Sequence, residues 1–305
     1  MSPPFDEQRQ TVQLQNHLVV CGMPVNVGEF LRPLTSIRST TPILFITEQE
    51  PSNSQLEQIC QTSGGAGTQS NMWNKSTWSG LKVFLMYAPP LHPSSMRRAG
   101  IGAASRIVLL AENVGETPVG REVGMEDAPV VFAHRFLSQE FPDKLSNTVA
   151  ELIVDESIVF FNDSIRLDGA EASIYLQPSF AEGGVYCSAL CISMLVQAYY
   201  NPHLLSIVGA LLCSRITNDM PEEPHLNSAA THRSPVEVTQ EKVLPHLAGK
   251  KYSELLSYYV AQKDLVPLGL YRTEGLRRFT YTNPSPDTLV KADDLVFVLT
   301  RLDDV

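Results

Sequence analysis

The chain has 305 residues, of which 43% are hydrophobic, and a formal net charge of −10. This is enough apolar material for a core together with a smaller satellite subdomain. The acidic balance and the scattered basic residues argue against nucleic acid or an anionic membrane as the main partner. The five cysteines form no CxxC pair, which favours a reducing compartment over a disulfide framework.

Short apolar runs rich in β-branched residues follow a polar N-terminus, residues 1–16, that we expect to be disordered. The runs predict strands at residues 17–21, 43–47, 81–87, 106–110, 148–152 and 158–161. A helix is predicted over residues 127–141. Strands this apolar have both faces covered, so the predicted fold class is α/β, with a Rossmann-like parallel sheet and helices on both faces.

The stretch from Gly183 to Ser214 contains no Asp, Glu, Lys or Arg. A break at residues 201–203 leaves a second piece shorter than the roughly 20 residues that a membrane span needs. We therefore predict a buried helix–turn–helix of a soluble protein over residues 185–212. A membrane hairpin is the alternative.

The C-terminal part is predicted to be a small α+β subdomain, with a helix near residues 250–262 and strands near 265–271 and 294–300. The residues before it are rich in Pro, Glu, Asn, Ser and His, which is typical of a surface loop. The predicted segments are a disordered N-terminus (1–16), a Rossmann-like core (17–184), a helix–turn–helix hairpin (185–214), a flexible loop (215–234) and the α+β subdomain (235–305).

The loop after the first predicted strand, residues 22–28, stands where a GxGxxG turn would bind a dinucleotide phosphate. Pro24 replaces the middle glycine and also removes a backbone N–H donor. Glu48, just after the second strand, is placed where an acidic ribose ligand could lie. The sequence favours a Rossmann-like fold that does not bind a nucleotide. Nucleotide binding is the alternative.

Catalytic motifs are missing from the sequence. There is no GxSxG elbow and no HExxH, and Gly249-Lys250-Lys251 lacks the upstream glycine and the hydroxyl of a P-loop. Cys187 and Cys191 are four residues apart on the predicted helix, and core packing is favoured over metal binding there. We expect a protein that is not an enzyme, and the sequence indicates no particular organic cofactor.

Side chains with oxygen atoms concentrate on both sides of the strand predicted at residues 158–161. They are Asp155, Glu156, Asn162, Asp163, Asp168 and Glu171. Oxygen-rich loops bind hard cations, and Gly169 would permit a turn. A solvated loop without a ligand is the alternative.

Residues 150–213 resemble the second RCK (regulator of K⁺ conductance) domain in the gating ring of Slo-family potassium channels. The shared parts follow the family's order: Glu151-Leu152 at a strand end, the short strand at residues 158–161, a cation-sensing loop over residues 162–172, a strand and turn with the sequence YLQPSFAEGG over residues 175–184, and the helix–turn–helix. MEDAPVVFAHRFLSQEFP and VPLGLYRTEG resemble the sodium-activated branch of this family. FTYTNPSPDTLVKADDLVFVL resembles the end of the calcium-activated branch.

This resemblance implies a regulatory domain that couples binding of an ion or ligand to gating of a potassium channel pore. It places a soluble domain at the cytoplasmic face of a membrane, with the pore domain and other RCK domains as partners and no nucleic acid. The hairpin at residues 185–212 would be the dimerisation element. Its expected contact residues are Cys191, Met194, Leu195, Ala198, Leu205, Val208 and Leu212.

The resemblance also implies where a cation would bind. Calcium-activated members have consecutive aspartates in the sensing loop, whereas this chain has Asp163, Asp168 and Glu171 spread over nine residues. These three are the predicted ligands for Ca²⁺ or another cation. Calcium takes about six to eight oxygens, so we expect weak binding, on the order of 10⁻⁴ M or poorer.

Three other functions are weighed against this one. A regulatory subunit of a potassium transporter, also of RCK type, would bind a nucleotide at residues 22–28. A dinucleotide-dependent oxidoreductase would need both the nucleotide and a catalytic group. A pure assembly module would sense nothing.

Overall fold

The computed structural model describes residues 14–36, 41–53, 55, 75–78, 81–111, 126–161, 177–212, 236–275 and 277–301. The chain divides into two compact units, one of Met1–Phe180 and Gly184–Ala189 and the other of Ala181–Gly183 and Leu190–Val305. Most of the N-terminus predicted to be disordered, and the whole of the loop predicted to be flexible at residues 215–234, lie outside the described residues.

One sheet forms the centre of the first unit. Its strands are β1 (Leu18–Cys21), β2 (Ile43–Thr47), β3 (Lys75–Trp78), β4 (Leu81–Tyr87), β5 (Arg106–Leu109), β6 (Thr148–Leu152) and β7 (Val185–Cys187). They lie in the order β3-β4-β2-β1-β5-β6-β7, and all neighbours are parallel except β3, which runs antiparallel to β4. The predicted fold class is confirmed.

Both faces of the central strands are buried, as their continuous apolar sequences predict. In β1, Val19 and Cys21 pack into one hydrophobic cluster, while Leu18 and Val20 pack into a second one. Every residue of β2 is buried. Because successive side chains of a strand point to opposite faces, each of these strands contributes to two layers of core.

Helices cover the two faces of the sheet. The helix α1 (Val27–Ser36) packs Leu31 into the cluster that contains Val20. The helices α2 (Pro93–Arg98) and α3 (Ala128–Glu140) pack Met96 and Val130 into the cluster that contains Val19. The helix predicted over residues 127–141 is therefore α3.

The strand predicted at residues 158–161 is wrong, because these residues end a 3₁₀ helix, Asp155–Phe161. The N–H groups of Ile153 and Val154 donate to the Asp127 carboxylate, so the chain leaves the sheet directly after β6. A further short helix, α4 (Pro178–Ala181), occupies part of the segment predicted as a strand and turn at residues 175–184.

The predicted helix–turn–helix is confirmed as α5 (Ala189–Tyr200) and α6 (Leu204–Leu212), but most of its described side chains are exposed within this chain rather than buried as expected. The turn between them is closed by the backbone bond from the Leu204 N–H to the Asn201 carbonyl, 2.9 Å long. The first residues of the predicted hairpin differ, because they form β7 at the edge of the parallel sheet. Its apolar residues Val185 and Cys187 alternate with the exposed Tyr186, as expected of an edge strand.

A small antiparallel sheet organises the second unit. Its strands are β8 (Val236–Lys242), β9 (Val266–Glu274), β10 (Arg277–Thr282) and β11 (Leu295–Arg301), in the order β10-β9-β11-β8. The helix α7 (Tyr252–Tyr258) continues as one π-helical turn, Tyr259–Lys263. The predicted α+β character of this unit is confirmed. Its polar strands β8 and β10, like β3 in the first unit, are not predicted by apolar periodicity.

The core of the second unit joins its helix to its sheet. Leu255 and Tyr259 pack with Leu270, Val296 and Val298, and all five are fully buried. These residues come from α7, from the π-helical turn and from two neighbouring strands. The unit therefore has a hydrophobic core of its own, separate from the two clusters of the first unit.

A buried ion pair crosses this core between Arg272 and Asp294. The Arg272 Nε and Nη2 atoms donate to the two carboxylate oxygens of Asp294 at 3.0 and 2.7 Å. Asp294 also accepts the Lys291 N–H at 2.8 Å, and Arg272 donates to the Leu289 carbonyl at 2.7 Å. Most polar atoms of the two side chains therefore have hydrogen-bond partners, which a buried ion pair needs in order to be stable.

Candidate functional site

The loop between β1 and α1 is shaped by packing at its first residue. Gly22 has φ of 110°, and a Cβ atom there would lie 3.0 Å from the Leu110 Cβ. Its N–H donates to the Ile46 carbonyl at 2.9 Å. A glycine is therefore required at this position by the backbone conformation and the close approach of β5's end, whether or not a ligand binds.

The rest of this loop is held by its own residues. The Asn26 side chain accepts the Glu29 N–H at 3.2 Å, which caps the start of α1. The Pro24 carbonyl accepts a bond from the Gln55 side chain at 3.3 Å. Pro24 brings no N–H to the loop, as the sequence already shows. These contacts fit a loop that keeps its shape through capping and packing, and the absence of nucleotide binding stays a prediction.

Acidic side chains meet at the carboxyl end of the parallel sheet. Asp127 is 2% exposed, and its two oxygens accept the N–H groups of Ile153 and Val154 at 2.8 and 2.9 Å. Glu151, at the end of β6, has its pKa raised, chiefly by burial and further by the charge of Asp127, while a bond from the Ala111 backbone opposes this. This edge therefore carries concentrated negative charge in a poorly solvated place.

Cys187 lies beside the same carboxylates. Burial raises the pKa of its thiol to about 11, and the charges of Asp155 and Asp127 add to the effect. The Asp155 Oδ1 atom is buried and has no hydrogen-bond partner among the described residues. A thiol with so high a pKa is protonated at neutral pH and is a poor nucleophile or metal ligand.

The described residues contain no cluster of three or more His, Cys, Asp or Glu side chains suited to a metal ion. The predicted cation ligands Asp163, Asp168 and Glu171 lie outside the described residues, so their arrangement remains a prediction. The assumption that Cys187 and Cys191 share a helical face is wrong. Cys187 ends β7 and is buried, whereas Cys191 is on α5 and exposed.

The two helices of the hairpin both expose large apolar side chains. On α5, four exposed residues follow the spacing i, i+3, i+4, i+7, which places them on one face. Two more exposed residues lie on α6. We call these six the hairpin stripe: Ile192, Leu195, Val196, Tyr199, Leu205 and Ile207. Between 50% and 83% of each side chain is exposed, and no charged residue lies between positions 183 and 214.

The hairpin stripe differs from the predicted contact residues by its position around α5. Met194 and Ala198 were expected at the contact, yet they are only partly exposed, whereas Leu195 is 68% exposed. On α6, Leu205 is 50% exposed and Val208 is partly buried. The helical spacing alone could not tell which apolar side chains of α5 are the more exposed ones.

None of the helices in the described part of the chain is both long enough and apolar enough to cross a membrane. The hairpin is accordingly divided into helices of 12 and 9 residues.

The fold defines a class of protein, namely Rossmann-like parallel-sheet domains followed by a helix–turn–helix and a small antiparallel sheet. The family model described as the calcium-activated potassium channel slowpoke-like RCK domain matches residues 13–148. Residues 13–148, somewhat less than half of the chain, are therefore similar to Slo-like RCK domains.

A solved structure of the human SLO3 gating ring is similar to nearly the whole chain. It has a TM-score of 0.70 and 18% sequence identity, and the match covers 96% of this chain and 49% of that one. The chain thus spans about half the length of the gating-ring chain, and at this identity the likeness concerns the fold.

A second solved structure, the GsuK RCK domain, is 14% identical over 95% of this chain and 45% of that one, with a TM-score of only 0.30. No curated protein sequence matches the chain.

Proposed function

We propose that this chain is the second RCK domain of a potassium channel subunit, acting as a cytoplasmic regulatory domain rather than as an enzyme. The observation that carries the proposal is the uncharged hairpin with its exposed stripe, in a chain whose residues 13–148 match the model of Slo-like RCK domains. The likeness of the whole chain to half of a gating-ring chain supports its being one of two such domains.

The hairpin stripe is the proposed contact with another RCK domain. An apolar surface of this kind is costly to leave in water, since each apolar Å² that is removed from water contributes about 25 cal/mol. Ile192, Leu195 and Tyr199 project from one helix face and would fit the equivalent face of a second copy or of a sister domain. The pore domain of the same channel is proposed as the element that responds.

The proposed mechanism is thermodynamic linkage. A ligand that binds one arrangement of the assembled domains more tightly than another shifts their equilibrium by the difference in binding free energy. A tenfold difference in affinity supplies about 1.4 kcal/mol per site, so several identical sites in a ring can move a gate together.

A cation is the proposed ligand, and the loop after the 3₁₀ helix Asp155–Phe161 is its proposed site. Asp163, Asp168 and Glu171 would supply carboxylate oxygens, and backbone carbonyls, water or a neighbouring domain would supply the rest. Arg166 in the same loop would neutralise part of this charge, which favours weak binding.

Assembly is tested by sedimentation or light scattering of the full chain at micromolar concentration. We expect a dimer or a larger species. A monomer at all concentrations up to 100 micromolar, roughly the range in which weak complexes form, would contradict the proposed contact.

Ligand binding is tested by thermal melting in the presence of Ca²⁺, Mg²⁺, Na⁺ or Zn²⁺, because a ligand of the folded state raises the melting temperature. Calcium titration of Asp163→Ala and Asp168→Ala then locates the site. If both variants bind calcium as the parent does, the site is elsewhere. If no cation binds at millimolar concentration, the assembly role remains and the sensing role is withdrawn.

A further inference from the structure

Asp127, the residue before α3, does not use its side chain to cap that helix. Asp127 occupies the N-cap position, and the sequence Asp-Ala-Pro is typical of a helix start. Its side chain makes no capping bond to its own helix, and its backbone has φ of −89° and ψ of −5°. The carboxylate of a residue type that commonly caps helices is therefore free to accept hydrogen bonds from another segment of the chain.

That segment begins directly after β6. The Asp127 carboxylate accepts the N–H groups of Ile153 and Val154, which are 26 and 27 residues away in sequence. We call these two bonds the Asp127 latch. Bonds from N–H groups to a buried charged acceptor are stronger than those between neutral groups. The positive end of the α3 dipole also favours a carboxylate at this place.

A second contact joins the same two elements further along. The ring of His134, in the middle of α3, lies 4.3 Å from the ring of Phe161, which ends the 3₁₀ helix. Asp127 thus binds the residues just before the 3₁₀ helix, and His134 contacts the last residue of that helix. The helix α3 and the segment from Ile153 to Phe161 are joined at two places.

We propose that Asp127 is a positioning residue that makes α3 and the segment Ile153–Phe161 move as one body. This inference rests on the proposed function, because the chain runs from Phe161 directly into the proposed cation loop. Any displacement of the segment then moves α3, whose outer face carries Phe132 with 71% of its side chain exposed. The latch therefore connects the entry to that loop with a surface on which another domain can act.

The test is amide hydrogen exchange of the full chain without added cation, comparing the parent with Asp127→Asn and Asp143→Asn. The Asn side chain keeps the size of Asp but loses the charge and one acceptor. We expect exchange at Ile153, Val154, Val131 and Phe132 to accelerate together, by about tenfold or more, as the loss of a charged hydrogen bond predicts. Asp143→Asn, an exposed acid in a neighbouring 3₁₀ helix, should change none of the four.

Acceleration at Ile153 and Val154 without acceleration in α3 would overturn the proposal, because Asp127 would then be only a local turn cap. If Asp127→Asn does not fold, the coupling is tested by amide hydrogen exchange of the parent protein in low concentrations of denaturant. There the amides of both segments should open with one common free energy, and two distinct values would contradict the coupling. Neither measurement depends on cation binding or on assembly, so failure of the proposed function would be seen separately.

Discussion

His17 is fully buried at the start of β1, where its Nε2–H donates to the Ala99 carbonyl at 3.0 Å. Its Nδ1 atom is buried without a hydrogen-bond partner in the described residues. The pKa of His17 is lowered, mainly by burial and also by the nearby Lys144 charge, although the bond to Ala99 opposes the shift. The native state therefore resists protonation of this ring more than the unfolded chain does.

This burial predicts a loss of stability in mild acid. The unfolded chain takes up a proton at the ordinary histidine pKa, about 6.5, while the native ring resists it down to a lower pH. The unfolding free energy should therefore fall as the pH decreases below about 6.5 and level off below the lowered native pKa. His17→Gln should flatten this slope in urea unfolding between pH 7.5 and 5.5, roughly the window of histidine titration.

The control for His17 is His203→Gln, which replaces an exposed histidine in the hairpin turn. It should leave the slope unchanged. An equal slope in His17→Gln and in the parent would show that His17 does not cause the acid sensitivity.

At the scale of secondary structure elements, the hairpin stripe predicts how assembly responds to charge. Leu195→Asp should weaken association by at least about 100-fold, because an unpaired carboxylate buried at an interface costs several kcal/mol. The monomer should keep its fold, since Leu195 is already exposed within the chain. Sedimentation equilibrium measures the first effect, and circular dichroism checks the second.

Gln197→Asp is the matched control, because it places the same charge on α5 at an exposed position away from the stripe. It should reduce association far less than Leu195→Asp does. Equal losses in the two variants would mean that net charge, rather than the stripe, governs assembly.

The loop between β1 and α1 predicts a negative result for nucleotides. With Pro24 in place of a donor glycine, NAD and ATP should not bind at physiological concentration, as measured by calorimetry. Micromolar binding would contradict this expectation and favour the transporter-subunit function.

At the scale of the whole molecule, the two units have separate cores, so a change in one should leave the other folded. Asp294→Ala leaves Arg272 charged and without its partner, which should cost the second unit about 3–5 kcal/mol. Both tryptophans, Trp73 and Trp78, fall within the sequence range of the first unit. In denaturant, tryptophan fluorescence should therefore keep its midpoint while far-ultraviolet circular dichroism shows an earlier loss.

Asp287→Ala serves as the control for this prediction. Asp287 pairs with Lys251 at 2.7 Å, but its side chain is 80% exposed. Such a surface pair contributes at most about 1 kcal/mol. If Asp294→Ala shifts the fluorescence midpoint as much as the circular dichroism signal, the two units do not unfold independently.

The sequence by itself determined the parallel sheet, the helix before β6 and the uncharged hairpin. Strands buried on both faces, such as β1 and β2, need continuous apolar residues, and that need is visible without a structure. The lack of charge over residues 183–214 likewise predicts a helical pair that buries apolar surface somewhere. These signals are local, because each depends on residues that are neighbours in sequence.

Only the tertiary structure decided where the chain leaves the sheet after β6 and which apolar side chains of the hairpin are most exposed. The apolar residues of Asp155–Phe161 would suit a strand, but the Asp127 carboxylate takes the N–H groups of Ile153 and Val154 that a longer strand would need. The polar strands β3, β8 and β10 are defined by the partners they pair with rather than by their own periodicity. In each case the deciding contact joins residues far apart in sequence, and a local pattern carries no information about it.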